Sequence, residues 1–297
     1  LNGLSNIDLT KPMSIVTGSL QTIKGALTSV ISLGGLIPGL GGADYSHYNE
    51  MVEEYNKLNE IWDELIDKKQ EYIAISYGAE ADKVGREAID LVEKQIEAYR
   101  MLGKERLNSG ASVGSHSIGV RVRKNMGRNE WEQWDNFARS IGWDPNDIGG
   151  RMTGLFDLTA EQLEKLKFEA PSFWAKMDGD VQKYLNGIIE GEVRIEDIQR
   201  QLQEQWTQIT FDNVFDNFID TLMDMKASSK DAAEDISEMF MRAMLSNQIG
   251  ELYQDKLKKW YEKFAKSMND GDLSDNERES LNSEYMQYVE EAMRLRD

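Results

Sequence analysis

The chain has 297 residues, no cysteine, and 53 acidic against 34 basic side chains, a formal net charge of −19. That length has room for about two domains of roughly 150 residues each. The missing thiol removes disulfides, thiolate nucleophiles and thiolate metal sites, and the acidity repels phosphate backbones and anionic membranes wherever no basic patch is set apart.

Residues 1–44 read as an apolar, Gly-rich segment. Between Met13 and Ala43 the only charge is Lys24, and the segment ends in the breaker run Gly34-Gly35-Leu36-Ile37-Pro38-Gly39-Leu40-Gly41-Gly42. Gly25 to Ala43 is uncharged over 19 residues and approaches spanning length, and Gly18, Thr22, Gly25 and Ser29 offer small-residue spacing for close helix contact. Pro38 and the clustered glycines favour a helix buried in an assembly, with transient membrane contact through 13–43 as the rival reading. A secretory signal is not expected, since no basic stretch or cleavage site frames a compact apolar block. The Leu1 start reads as that of a fragment or a processed chain.

Residues 45–107 read as a helical hairpin or rod. Met51, Tyr55, Leu58, Trp62 and Leu65, then Ile89, Val92, Ile96 and Tyr99, recur at steps of three and four, with charges on the other faces. Tyr77-Gly78-Ala79 separates the two stripes and favours a hairpin, because glycine inside a continuous helix costs roughly 1 kcal/mol.

Residues 108–187 read as a loop followed by a module of short helices. Ile118, Val120 and Val122 alternate with Gly119, Arg121 and Arg123, as in a short strand or an extended arm. Trp131, Trp134, Phe137 and Ile141 predict a short amphipathic helix, and Asp144-Pro145 a turn. Thr159 and Gln162 form a capping box ahead of Leu163, Leu166 and Phe168, and Pro171 limits the helix that follows.

Residues 188–297 read as long C-terminal helices. Ile195, Ile198, Leu202 and Ile209 keep one heptad frame, and Phe211, Phe215, Phe218, Leu222 and Met225 a shifted one, a change of supercoil or of contact face. Ile236, Phe240 and Ala243, then Tyr253, Leu257, Trp260 and Phe264, and finally Leu281, Tyr285, Tyr288, Ala292 and Leu295 continue the pattern beyond Ser228-Ser229. The expected fold is all-α: long amphipathic or coiled-coil helices, a compact short-helix middle region and room for one short strand. The residues expected to pack against a second copy or a partner are Leu58, Trp62, Leu65, Ile195, Leu202, Phe211, Phe215, Phe218, Leu222, Tyr253, Leu257 and Trp260.

Little in the sequence asks for chemistry. His47 and His116 lie far apart with no second ligand at metal spacing, and the glycine run lacks the Gly-Lys-Ser/Thr ending of a phosphate loop. Asp270 to Glu277 imitates the second half of a calcium loop, but Lys266 and Met268 stand where the first carboxylates belong. Ser274 and Glu277 serve better as a capping box. The carboxylates fall on polar helix faces, where solvation is the default, and no apolar pocket suggests a hydrolytic pair. We therefore expect no catalytic residue, no metal and no cofactor. The basic cluster Arg121, Arg123, Lys124 and Arg128 is the exception to the acidic trend. It is expected to meet the protein's own acidic surface, or dock on a partner's, more readily than on nucleic acid, since only Trp131 and Trp134 nearby could stack bases.

The run Gly154-Leu155-Phe156-Asp157-Leu158-Thr159-Ala160-Glu161-Gln162-Leu163-Glu164-Lys165-Leu166-Lys167, then Ala170-Pro171-Ser172-Phe173-Trp174-Ala175-Lys176-Met177-Asp178, resembles the C-terminal part of tail tape measure proteins from phages and prophages of Bacteroides-type bacteria. Lys124-Asn125-Met126-Gly127 and Ile249-Gly250-Glu251-Leu252-Tyr253 are similar too. The resemblance covers about residues 45–297. It implies a non-enzymatic virion protein in the tail tube lumen or tip, which sets tail length, self-associates as a trimer or another low oligomer, contacts tail tube and tail tip proteins, and is released at infection. The departure of the middle region from a plain rod suggests a terminal anchor. A helical pore-forming or secretion translocator protein is the alternative, and a cell-wall hydrolase the enzymatic rival.

Overall fold

A computed structural model describes residues 44–75, 78–112, 115–224, 251–269 and 273–296. The expectations for Met13 to Ala43, for the Ser228-Ser229 break, for Met225, Ile236, Phe240 and Ala243, and for Asp270 to Asp272 lie outside the described residues. Within them the chain is all-α. Ten α-helices follow in order: α1 Ser46–Ile75, α2 Gly78–Asn108, α3 Ile118–Asn125, α4 Arg128–Ser140, α5 Ala160–Glu169, α6 Pro171–Ala175, α7 Gly179–Thr207, α8 Phe211–Asp224, α9 Glu251–Ser267 and α10 Asp275–Arg296. Two 3-10 turns, Pro145–Ile148 and Thr153–Asp157, lie between α4 and α5. Helices α1, α2 and α7 have 30, 31 and 29 residues.

Local chemistry starts several of these helices. The Asp44 carboxylate accepts from the Ser46 backbone N–H at 3.0 Å ahead of α1. Thr159 and Gln162 exchange hydrogen bonds ahead of α5, Thr210 and Asn213 ahead of α8, and Ser274 and Glu277 ahead of α10. Asp178 Oδ1 accepts from Asp180 N at 3.1 Å ahead of α7. Each such cap satisfies donors that the first turn of a helix leaves unpaired.

The described chain forms two compact units that interleave in sequence, 44–59 with 97–189 and 60–96 with 190–296. In the first, Trp134, Phe137, Phe156, Phe173, Leu163 and Leu166 are essentially inaccessible to solvent. Trp134 stacks on Phe173 with ring centroids 5.2 Å apart and donates its indole N–H to the Pro145 carbonyl at 2.9 Å. Gln133 Oε1 accepts from the backbone of Ser172 and Phe173, closing the start of α6. Phe168, grouped with Leu163 and Leu166 in the sequence, is 87% exposed, because the buried stripe continues through Ala170.

In the second unit the parts of α1 and α2 present run antiparallel. Lys69 Nζ meets Glu87 Oε2 at 2.6 Å, and Gln95 donates to Asp63 at 2.8 Å. Arg194, on α7, reaches the same Asp63 at 3.0 Å and also binds Asp67. Gly85 faces Leu202 so closely that a Cβ would lie 2.4 Å from its methyl group. Helices α8, α9 and α10 form a further cluster around Phe218, Leu222, Tyr253, Leu257 and Val289, where Lys256–Glu291 and Lys263–Glu284 pairs set α9 antiparallel to α10.

Two expectations change. The alternating segment at Ile118, Val120 and Val122 is not a strand but helix α3, with Ile118 and Gly119 buried, and no strand occurs among the described residues. A strand would send Gly119 to the arginine side; instead its Cα packs on the Arg151 carbonyl, where a Cβ would come within 2.0 Å. The shifted heptad frame after Ile209 marks a break between helices. Gln208 adopts φ 58°, a left-handed residue that ends α7.

Overpacking and the loss of a buried ion partner both have measurable expected costs. The Phe156 ring leaves no room for a Cβ on Gly103, with a closest approach of 1.9 Å. Gly103→Ala is therefore expected to destabilise the chain by about 1–3 kcal/mol in denaturant unfolding, despite its better helix propensity. Lys69 is 6% exposed, so Glu87→Ala should cost about 3 kcal/mol by stranding its ammonium, while Lys69→Met combined with Glu87→Ala should recover most of that loss.

Candidate functional site

The most site-like place in the first unit is a surface groove of about 600 Å³ on α3, α4 and the turn at Pro145. Val120, Trp131 and Pro145 supply its apolar lining, and Arg123, Lys124, Asp135 and Asn146 its polar lining. The Arg123 guanidinium lies over the Trp131 ring, 4.9 Å from its centroid, and donates to the Gly149 carbonyl at 2.9 Å. Such a cation on an aromatic face keeps its charge available while its plane is held.

The groove rests on a tightly constrained turn. Gly149 and Met152 both have positive φ, 76° and 62°, and Met152 is fully buried. A left-handed non-glycine residue inside a core is uncommon and costs energy that the surrounding packing must supply. Gly154 packs on the Asp147 carbonyl, where a Cβ would come within 2.3 Å, and Gly119 of α3 packs on the Arg151 carbonyl, so the turn is tight within itself and against α3.

The predicted basic patch is divided by this arrangement. Arg123 and Lys124 line the groove. Arg121 donates to the Tyr45 hydroxyl at 2.9 Å, and the well-exposed Arg128 pairs with Glu132 at 2.7 Å. The predicted packing residues are covered by the chain's own helices: Trp62, Leu65, Ile195, Leu202, Phe218, Leu222, Tyr253 and Leu257 are buried, and Leu58, Phe211, Phe215 and Trp260 are half-buried.

A second polar cluster in the first unit has no local sequence signal. Arg106 makes a two-pronged pair with Asp178, at 2.9 and 3.0 Å, and lies over the rings of Tyr45 and Tyr48. The hydroxyls of Tyr48 and Tyr184 share a buried hydrogen bond of 2.8 Å, and burial, then their mutual bond, holds the Tyr48 phenol far above the ordinary tyrosine range. Only the fold joins α1, α2 and α7 here. The cluster ties the three helices together as a strut.

His47 lies in the first turn of α1 and His116 in the exposed lead into α3. Among the described residues no group of three or more His, Asp or Glu could hold a metal ion, and no described helix is long and apolar enough to cross a membrane. The Glu277 carboxylate is engaged by the Ser274 backbone N–H. No family model, curated protein or solved structure matches the chain.

Burial raises the Glu105 carboxyl above the ordinary glutamate value, against the weaker pull of His47 and Arg151 and with a small push from Asp44. A raised carboxyl favours the folded state when protonated, and that contribution is lost as pH rises through its folded value. Glu105→Gln is therefore expected to raise the melting temperature at neutral pH, with the gain fading below the ordinary glutamate value near 4.5; parallel calorimetric scans at both pH values check this.

Proposed function

We propose that this chain is the C-terminal part of a phage tail tape measure protein, a structural and non-enzymatic component of the tail lumen and tip, and that the described helices form its folded end. The resemblance carried by residues 154–178 supplies the family. The observation that supports a folded end is the burial of the heptad-spaced stripes inside one chain, with Trp62, Leu202, Phe218 and Leu257 each under 5% exposed. A ruler needs extended helices that advance about 1.5 Å per residue and offer their stripes to neighbouring chains. Here the stripes are already covered.

In this reading the coiled-coil length of the protein lies elsewhere in the assembly. Self-association, as a trimer or another low oligomer, uses faces other than these stripes, and the folded end meets tail tube and tail tip proteins. Setting of tail length and release at infection belong to the whole protein. The strongly acidic surface suits a lumen through which DNA must pass without being captured.

Electron microscopy of phage carrying in-frame deletions of whole heptads within residues 188–224 tests the proposal. Tail length is expected to stay constant while tips fail or become unstable. Tails that shorten by about 1.5 Å per deleted residue would make this region part of the ruler and sink the folded-end reading.

A further inference from the structure

We propose that the groove between α3 and α4 binds an acidic peptide segment of a partner protein, one that combines carboxylates with an aliphatic anchor. The proposal stands on the groove alone and does not depend on the tape measure reading.

The charges around the groove favour an anionic occupant. In a chain with 19 excess negative charges, Arg123 and Lys124 have no carboxylate within ion-pair distance among the described residues. The neighbouring carboxylates are engaged elsewhere. Glu130 accepts from the Gly127 backbone N–H, Glu132 pairs with Arg128, Asp135 faces Arg139 at 4.0 Å, and Asp144 and Asp147 cap their own 3-10 turn. The cations are therefore left for an external anion, while the acids nearby are partly neutralised.

The apolar lining adds the second requirement. Trp131 is only half-buried, although its ring is flanked by Arg123 and by the edge of Phe173, 5.9 Å away. With Val120 and Pro145 it offers a wall for one aliphatic side chain beside the charges. Arg123 is already anchored on the Gly149 carbonyl, so little side-chain freedom is lost when a carboxylate arrives, and preorganisation of that kind favours binding. A nucleic acid fits less well. Asp135 shares the groove and would oppose a continuous phosphate backbone, whereas a peptide can place a neutral residue there.

The test uses the full chain at about 0.15 M salt, where its overall negative field is screened beyond about 8 Å. Fluorescence anisotropy would be recorded with a labelled peptide alternating Glu and Leu, its Lys/Leu counterpart, an all-Glu peptide and a single-stranded oligodeoxynucleotide. The Glu/Leu peptide is expected to bind most tightly, and Lys124→Glu and Arg123→Gln each to weaken it by about fivefold or more. Lys124 is exposed, so its variant keeps the test valid even if Arg123→Gln loosens the turn. Arg86→Gln, in the second unit, should leave the affinity unchanged. Absence of Glu/Leu binding, an unchanged affinity in Lys124→Glu, or equal or tighter binding of the Lys/Leu peptide or the oligonucleotide would overturn the proposal.

Discussion

Helices of about 30 residues are stable in water only when a neighbour covers their apolar stripe, and the depth of that cover sets everything else in this chain. The close approach comes from small residues opposite large ones. Gly103 takes the Phe156 ring and Gly187 the Tyr99 ring in the first unit, while Gly85 takes Leu202 and Gly191 takes Ile96 in the second. Each glycine weakens its own helix by roughly 1 kcal/mol, and burial of Phe156 and Leu202 in their notches is worth about 1.5–3 kcal/mol each, with Tyr99 and Ile96 only half-buried. The exchange favours the packed state only if the notch is filled.

Polar contacts then choose the register. Apolar stripes tolerate sliding by a turn, but a buried ammonium or a two-pronged guanidinium pair does not. Lys69 with Glu87, and Asp63 shared by Gln95 and Arg194, fix the second unit; Arg106 with Asp178 and Tyr48 with Tyr184 fix the first. Such groups add little net stability when exchanged for well-packed apolar ones, and their value here is alignment. Most of the surface i,i+4 pairs, such as Lys57 with Glu53, are worth a few tenths of a kcal/mol and choose nothing.

The groove on α3 follows from the same economy of space. The turn from Gly149 to Gly154 enters the core through Met152 and closes on Gly119, which forces α3 to present Arg123 and Lys124 outward on one side and Arg121 toward Tyr45 on another. A cluster of four cations in sequence thus becomes two cations beside a tryptophan, with the other two used locally. Backbone strain next to a charged, aromatic surface is a common accompaniment of recognition sites.

Period, caps and breakers were legible in the sequence because they are local. The steps of three and four marked most of the long helical stripes, Thr159 with Gln162 and Ser274 with Glu277 marked helix starts, and the all-α class followed. Three matters were not local. The alternation at Ile118 to Arg123 satisfies strand and helix alike over so few residues, and only the docking of Gly119 on the Arg151 carbonyl selects the helix. The shift after Ile209 records a new face without saying that the chain turns there through Gln208. Above all, periodicity shows that a stripe will be covered but not by whom. The sequence determined the helices and their faces, since 3.6 residues per turn is a property of the backbone; the tertiary structure alone decided that those faces meet within one chain, because pairing depends on shape and charge brought together from residues far apart.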